Sequence, residues 1–214
     1  MALTLYSYWR ATAPYRVRIA LALKGLAYDY IPVSLPRGEQ RAAGYLERNP
    51  QGLTPMLVDG EAAMTQSLSL MEWLDETHPE PPLLPADPAG RQVVRAMAGI
   101  IACDIHPLNN LRIQQQLSAM GVSDADRQAW VARWMTEGFD ALEPMVARHG
   151  QDFAYGTEPG LADCCLVPQA YSADRYGVDL SPYPAIRAAA ERARAHPAFA
   201  AAHPDRQPDA PAAG

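Results

Sequence analysis

Three short stretches of this chain hold residue types in patterns that suit chemistry: "RATAP" (10–14), "LTPMLVDG" (53–60) with "TQSLSL" (65–70) close behind it, and "DIHPLNNLR" (104–112). In the first, Arg10 precedes Ala11, Thr12 and Ala13, and Pro14 suits the first turn of a helix. The unpaired amides of residues 11 to 13 at such a helix start attract an anion, and Thr12 adds one hydroxyl. That hydroxyl has a competing use as an N-cap, bonding the Tyr15 amide. In the second stretch Pro55 cannot donate to a sheet ladder and belongs at a strand start. With a cis Thr54-Pro55 bond, the Thr54 amide and carbonyl face outward, where an extended peptide pairs as an added strand. Gln66-Ser67 opens the next helix, whose free amides and positive dipole end hold a carboxylate. Taken singly these are a turn proline and a Ser cap. Together they specify a site for a small peptide with a free carboxylate. In the third stretch His106, Asn109 and Asn110 fall within an arc of about 100° if the helix advances about 100° per residue. Arg112 lies one turn beyond, and Pro107 bends the helix beside them.

The elements that must position these groups change character along the chain. Residues 3–8 and 27–33 are rich in β-formers and flank a helical stretch, giving a βαβ unit. A short helix over Glu39–Arg48 stops at "NPQG", and "PMLVDGEAAMT" predicts two strands around Asp59-Gly60. A helix from Ser67 has Leu68, Met71 and Leu74 on one face and stops at His78-Pro79. The division is therefore 1–80 as an α/β unit, 81–87 as a Pro-rich linker and 88–214 as an all-helical unit. The tail "HPDRQPDAPAAG" should be ordered first and frayed after.

Composition excludes several partners. A net charge of -6 argues against nucleic acid, and no basic run suits an anionic membrane. No window approaches the roughly 20 apolar residues of a membrane span, nor does the start resemble a signal peptide, so a cytoplasmic protein is expected. Cys103, Cys164 and Cys165 form no CxxC pair and read as buried thiols in a reducing compartment, with no metal role.

Beyond these motifs, "LYSYWR…YRVRIALALKG" (5–25), "NPQGLTPMLVDG" (49–60), "TQSLSLMEWLDETHPEPPLLP" (65–85), "CDIHPLNNLR" (103–112), "LADCCLVPQ" (161–169) and "DRYGVDLSPYP" (174–184) resemble the zeta class of glutathione transferases. That branch contains the maleylacetoacetate and maleylpyruvate isomerases. The resemblance implies a thioredoxin-like first domain, an all-helical second domain, a homodimer and glutathione as cofactor. It implies that Gln66 and Ser67 hold the γ-glutamyl group, that Thr54 and Pro55 pair with the peptide, and that Gln40 and Asn109 also contact glutathione. Arg10 and Arg175 match positions that bind the carboxylates of a small diacid substrate, with His106, Asn110 and Arg112 beside them. Arg16 and Arg18 read as structural.

The departure lies at the turn. The family usually reads Arg-Ser-Ser-Cys, with the first Ser donating to the glutathione sulfur, where this chain has Arg10-Ala11-Thr12-Ala13. Lowering a thiol pKa by about 2 units requires about 2.7 kcal/mol, and one hydroxyl bond to a charge supplies roughly 1.5–3. The catalytic burden therefore falls on the Arg10 charge, the Thr12 hydroxyl and the amides of residues 11 to 13. Gly160 also replaces the Thr or Ser usual before Leu161-Ala162-Asp163, with little effect expected on folding. The activity implied is cis-trans isomerisation of maleylpyruvate or maleylacetoacetate in aromatic catabolism, with maleylpyruvate preferred through Arg112. Two other readings stay open: a transferase or peroxidase acting on other electrophiles, and a non-catalytic glutathione-binding protein.

Overall fold

The computed structural model describes residues 2–211, which divide into two compact units. The first comprises the chain up to Leu83 together with the segment from His196 onward; the second is Leu84–Ala195. The boundary expected at 81–87 thus falls between Leu83 and Leu84. The expectation that 88–214 forms one helical unit is corrected, because the described residues from His196 pack with the first unit.

In the first unit β1 (Leu3–Ser7), α1 (Thr12–Leu23), β2 (Tyr28–Pro32), α2 (Ala43–Leu46), β3 (Met56–Asp59), β4 (Ala62–Thr65) and α3 (Ser67–Thr77) build a mixed sheet in the order β2-β1-β3-β4. The β1–β2 pair is parallel and the other two pairs are antiparallel. The expected single helix over Glu39–Arg48 is instead a 3-10 turn, Glu39–Arg41, followed by α2. Ala42 between them is extended, with φ -63 and ψ 144. Helix α1 is buried on nearly all sides, packed against α3 and against α10 (Pro197–Ala202).

Two buried cations lock this unit. Lys24 at the end of α1 donates to Asp75 on α3 at 2.7 Å and to the Pro81 carbonyl at 2.6 Å, and Asp75 also accepts the Leu83 amide. Arg18 donates through Nε to the Ala202 carbonyl, through Nη1 to the Ser7 hydroxyl and through Nη2 to the Trp9 carbonyl. Burial pulls the Arg18 pKa below its ordinary value, yet a guanidinium starts high enough to stay charged.

The second unit is helical: α4 (Pro88–Gly99), a π-helical segment Ile100–Ile105, α5 (His106–Asn109), α6 (Leu111–Ala119), α7 (Asp124–His149), α8 (Leu161–Tyr176) and α9 (Pro184–Arg194). Val131, Met135, Phe139, Leu142 and Val146 recur at steps of three and four along α7, and this stripe supplies its buried face. Gly138 on α7 admits the π segment, since a Cβ there would lie 2.2 Å from Ile105 Cγ1. Before α8, the Asp163 carboxylate accepts the amides of Ala154 at 2.8 Å and Gly160 at 3.0 Å. Gly160, lacking a side chain, leaves the reciprocal bond unmade. Burial pushes the Asp163 carboxyl up to about 6 against the pull of those amides. Among the described residues no helix is long and apolar enough to cross a membrane. Cys164 and Cys165 are buried as expected, but Cys103, on the π segment, is exposed.

Candidate functional site

Antiparallel pairing brings the first two motifs to one edge of the sheet. Tyr6 on β1 pairs with Met56 on β3, and Met56 pairs with Thr65 on β4. The exit of β1, the entry of β3 and the exit of β4 therefore lie side by side, carrying Tyr8–Thr12, Thr54-Pro55 and Gln66-Ser67 respectively. The Thr54-Pro55 bond is cis. Neither the Thr54 amide nor its carbonyl bonds another group among the described residues.

At the β1 exit Ala11 is the N-cap of α1, with φ -72 and ψ 131 and no side-chain bond, so Thr12 is the first helical residue and not the cap. The Tyr15 amide bonds the Ala11 carbonyl at 3.1 Å, as helical geometry requires, and does not use the Thr12 hydroxyl. The Ala11 amide is spent on the Tyr8 carbonyl at 3.1 Å. Pro14 has no N–H, leaving the Thr12 and Ala13 amides as the free donors of the first turn. Thr12 is itself 7% exposed, with no hydrogen bond to its hydroxyl among the described residues. Arg10 is exposed, its guanidinium 5.6 Å from the centre of the Trp9 ring.

At the β4 exit Gln66 is the cap of α3 and sits at φ 70, the only non-glycine residue with positive φ among those described. Such a conformation costs on the order of 1–3 kcal/mol in a bulky residue and persists only where neighbours hold it. Gln66 Nε2 donates to Gln51 Oε1 at 2.6 Å. Ser67, 6% exposed, accepts from Arg16 Nη1 at 3.2 Å. That bond turns the hydroxyl into an acceptor on one side and leaves its proton to donate on the other. Gln40, in the 3-10 turn, has a buried Oε1 with no partner among the described residues.

In the second unit the expected arc breaks up. Helix α5 ends at Asn109, and Asn110, with φ -71 and ψ 163, caps α6. Its Oδ1 accepts the Ile113 amide at 3.3 Å and its Nδ2 donates to the Pro107 carbonyl at 3.0 Å, so both ends of this amide are engaged. Capping thus uses one Nδ2 proton and one Oδ1 lone pair, and a second donor and a second acceptor position of Asn110 remain. Arg112 lies on α6, a different helix from His106, and is exposed. Asn109 is the opposite case: 7% exposed, with neither Oδ1 nor Nδ2 bonded among the described residues. Arg175 stands exposed on the last turn of α8, with its guanidinium 5.8 Å and 5.6 Å from the ring centres of Tyr171 and Tyr176.

Arg16 and Gln51 were not expected at the site. The signal for Arg16 was present: a charge inside a helix apolar on every face requires a polar partner when buried. Gln51 carried no signal beyond its place in a turn.

Two family descriptions match the chain, the glutathione S-transferase N-terminal domain over residues 11–82 and its C-terminal domain over residues 128–196. A probable maleylacetoacetate isomerase of Vibrio cholerae is 48% identical over 213 residues, 98% of this chain and 99% of that protein. Among solved structures, the holo form of a maleylpyruvate isomerase, described as a bacterial zeta-class glutathione S-transferase, superposes with a TM-score of 0.95 at 45% identity, covering 97% of this chain and 100% of that one. A maleylacetoacetate isomerase from Anaeromyxobacter dehalogenans with glutathione bound in its active site superposes with a TM-score of 0.90 at 44% identity, covering 98% of each chain.

Proposed function

The chain belongs to the glutathione S-transferase family, and from that premise we propose that the sheet edge carrying Thr12, Thr54 and Gln66-Ser67 holds glutathione for isomerisation of a maleyl keto-diacid to its fumaryl form. The protein is a glutathione-dependent cis-trans isomerase of the maleylacetoacetate/maleylpyruvate type. The observation that carries the site assignment is the set of polar groups with unused hydrogen-bonding capacity around this part of the first unit. The free main chain of Thr54 matches an extended peptide, the Ser67 hydroxyl and the start of α3 match a carboxylate, and the buried Gln40 Oε1 matches an amide donor.

Glutathione, when bound there, would supply the thiolate that adds to the cis double bond conjugated with the ketone and is expelled again after rotation, so that the C–S bond breaks as the trans double bond re-forms. The chain's own part is to favour that anion and to orient the diacid. The Thr12 and Ala13 amides, the dipole of α1 and the Thr12 hydroxyl supply the donors that the missing Ser would have given. Arg10 is the carboxylate fork nearest this helix start in sequence. The resemblance to zeta-class enzymes supports Arg175 and His106 as substrate-binding residues and Asn109, whose amide is unbonded among the described residues, as a contact to glutathione. The resemblance to zeta-class enzymes supports a cytoplasmic homodimer as the working form.

The direct test is the ultraviolet absorbance of maleylpyruvate and of maleylacetoacetate mixed with pure protein. Glutathione-dependent loss of the cis absorbance is expected. Absence of turnover on both would overturn the reading.

A further inference from the structure

Resting on that functional reading, we propose that Asp209 is a positioning residue for the isomerisation, clamping the Trp9 turn so that Arg10 and the first free amides of α1 stay in place. The turn between β1 and α1 is a short surface connection, closed by the Ala11 amide on the Tyr8 carbonyl. Connections of this kind are ordinarily the mobile parts of a domain. Here the Trp9 residue is gripped on both sides. Its amide donates to Asp209 Oδ2 at 3.1 Å, and its carbonyl accepts from Arg18 Nη2 at 2.8 Å.

Asp209 is anchored in turn. Its other oxygen accepts the Tyr30 hydroxyl at 2.7 Å, and Tyr30 sits in β2 opposite Leu5 of β1. The grip therefore closes a loop from β1 through β2 and the C-terminal segment back to the residue that follows β1 by two positions. Burial, reinforced by the bond to Asp209, holds the Tyr30 phenol above its ordinary range, so it remains a donor wherever the enzyme works. The segment is fixed on its own side by Gln207, which donates to the Ala201 and His203 carbonyls.

The place of the grip is what gives it catalytic meaning. Trp9 is the residue before Arg10 and carries the Arg10 guanidinium over its ring; Ala11 and Thr12 follow directly. A displacement of Trp9 moves the substrate cation and the thiolate donors together. Gln66 and Ser67, on α3, are bonded to Gln51 and Arg16 and have no share in the clamp. Asp209 should therefore act on turnover and on the bound thiol while leaving cofactor affinity nearly alone.

Asp209→Asn keeps the volume and removes the charge and one acceptor. Asp205→Asn makes the same change on an exposed residue of the same segment. Four quantities decide: kcat at saturating glutathione, the titration of the bound thiol, the calorimetric Kd for glutathione, and Tm. For Asp209→Asn a fall in kcat on the order of tenfold and a bound thiol titrating at higher pH are expected, with Kd within about twofold. Asp205→Asn should match wild type. Tyr30→Phe, which leaves the Trp9 bond in place, should show a smaller loss in the same direction, and it decides the matter if Asp209→Asn fails to fold. Wild-type kcat and thiol titration in a folded Asp209→Asn would overturn the proposal, as would a lowered Tm with both unchanged. If wild-type protein binds glutathione but turns over neither maleyl substrate, the functional reading falls and the thiol titration alone still tests the clamp. A wild-type protein that does not bind glutathione overturns both.

Discussion

At the sheet edge of the first unit the groups without a partner among the described residues are mostly main chain: the Thr54 amide and carbonyl and the amides of Thr12 and Ala13. At the α5–α6 break of the second unit they belong to side chains, the Asn109 amide and the exposed Arg112. A backbone donor survives every substitution but proline and is aimed by the fold, so that edge keeps donors even with Ala11 where the family has a hydroxyl. A side-chain donor is aimed by its own helix and by each break in it, so one misplaced cap removes it from a site. The first arrangement suits a cofactor of constant shape, and the second suits a substrate that differs between relatives.

The largest effect should come from the place where the cofactor's carboxylate is held by side chains of the first unit. Gln66→Ala with Ser67→Ala removes charge-assisted bonds of roughly 1.5–3 kcal/mol each, so calorimetry should show glutathione affinity reduced on the order of a hundredfold or more. Unchanged affinity would mean that main chain alone suffices there.

In the second unit, side-chain dependence extends to folding. The Asp163 carboxyl is raised in the folded state to about 6 from an ordinary 3.8, so the folded form binds the proton more tightly than the unfolded chain. Its contribution is fully present below about pH 4 and is lost as pH rises through about 6, an amount of about 3 kcal/mol. Urea unfolding of wild type against Asp163→Asn across that window should show the wild-type advantage shrinking with rising pH. A constant difference would contradict this.

Smaller effects belong to the α1 start. In Ala11→Ser the new cap hydroxyl finds no N–H on Pro14 and only Ala13 to accept from, leaving its proton to donate to the sulfur. A several-fold gain in kcat and a lower titration of the bound thiol are expected. Thr12→Val should lower kcat without lowering Tm, because its hydroxyl bonds nothing that holds the helix. A drop in Tm with kcat unchanged would restore the capping role that the geometry denies it.

The smallest effect is expected from Arg112→Ala. Exposed and separated from His106 by the cap at Asn110, it should change kcat/KM by less than about twofold and equally for both maleyl substrates. A selective loss with maleylpyruvate would show that the second unit gathers these side chains despite the break.

How much of this was legible in the sequence follows the same contrast. Pro55 before an apolar strand, Asp59-Gly60 in a hairpin and Gln66-Ser67 before a helix are local signals, and antiparallel pairing carried them to one edge without further information. The arc on "DIHPLNNLR" assumed 100° per residue through 112. The π segment ahead of it and the non-helical ψ of 163 at Asn110 defeat any such projection. The two arginines of "RVR" were legible as structural but not by partner: Arg16 reaches Ser67 on α3, and Arg18 reaches Ala202 in a segment far along the chain. Asp209 had no local signal, since its bond to Trp9 spans 200 positions.

The return of residues from His196 to the first unit also sets an order of events during synthesis. When the ribosome has released only the segment ending at Leu83, the Arg18 guanidinium has neither the Ala202 carbonyl nor the cover of α10. Domains generally fold as they emerge, N-terminal first. In this chain the helical unit is the first whose residues are all available, and the glutathione-holding unit, although begun earlier, lacks the carboxylate partner of Trp9 and Tyr30 until translation has passed residue 209.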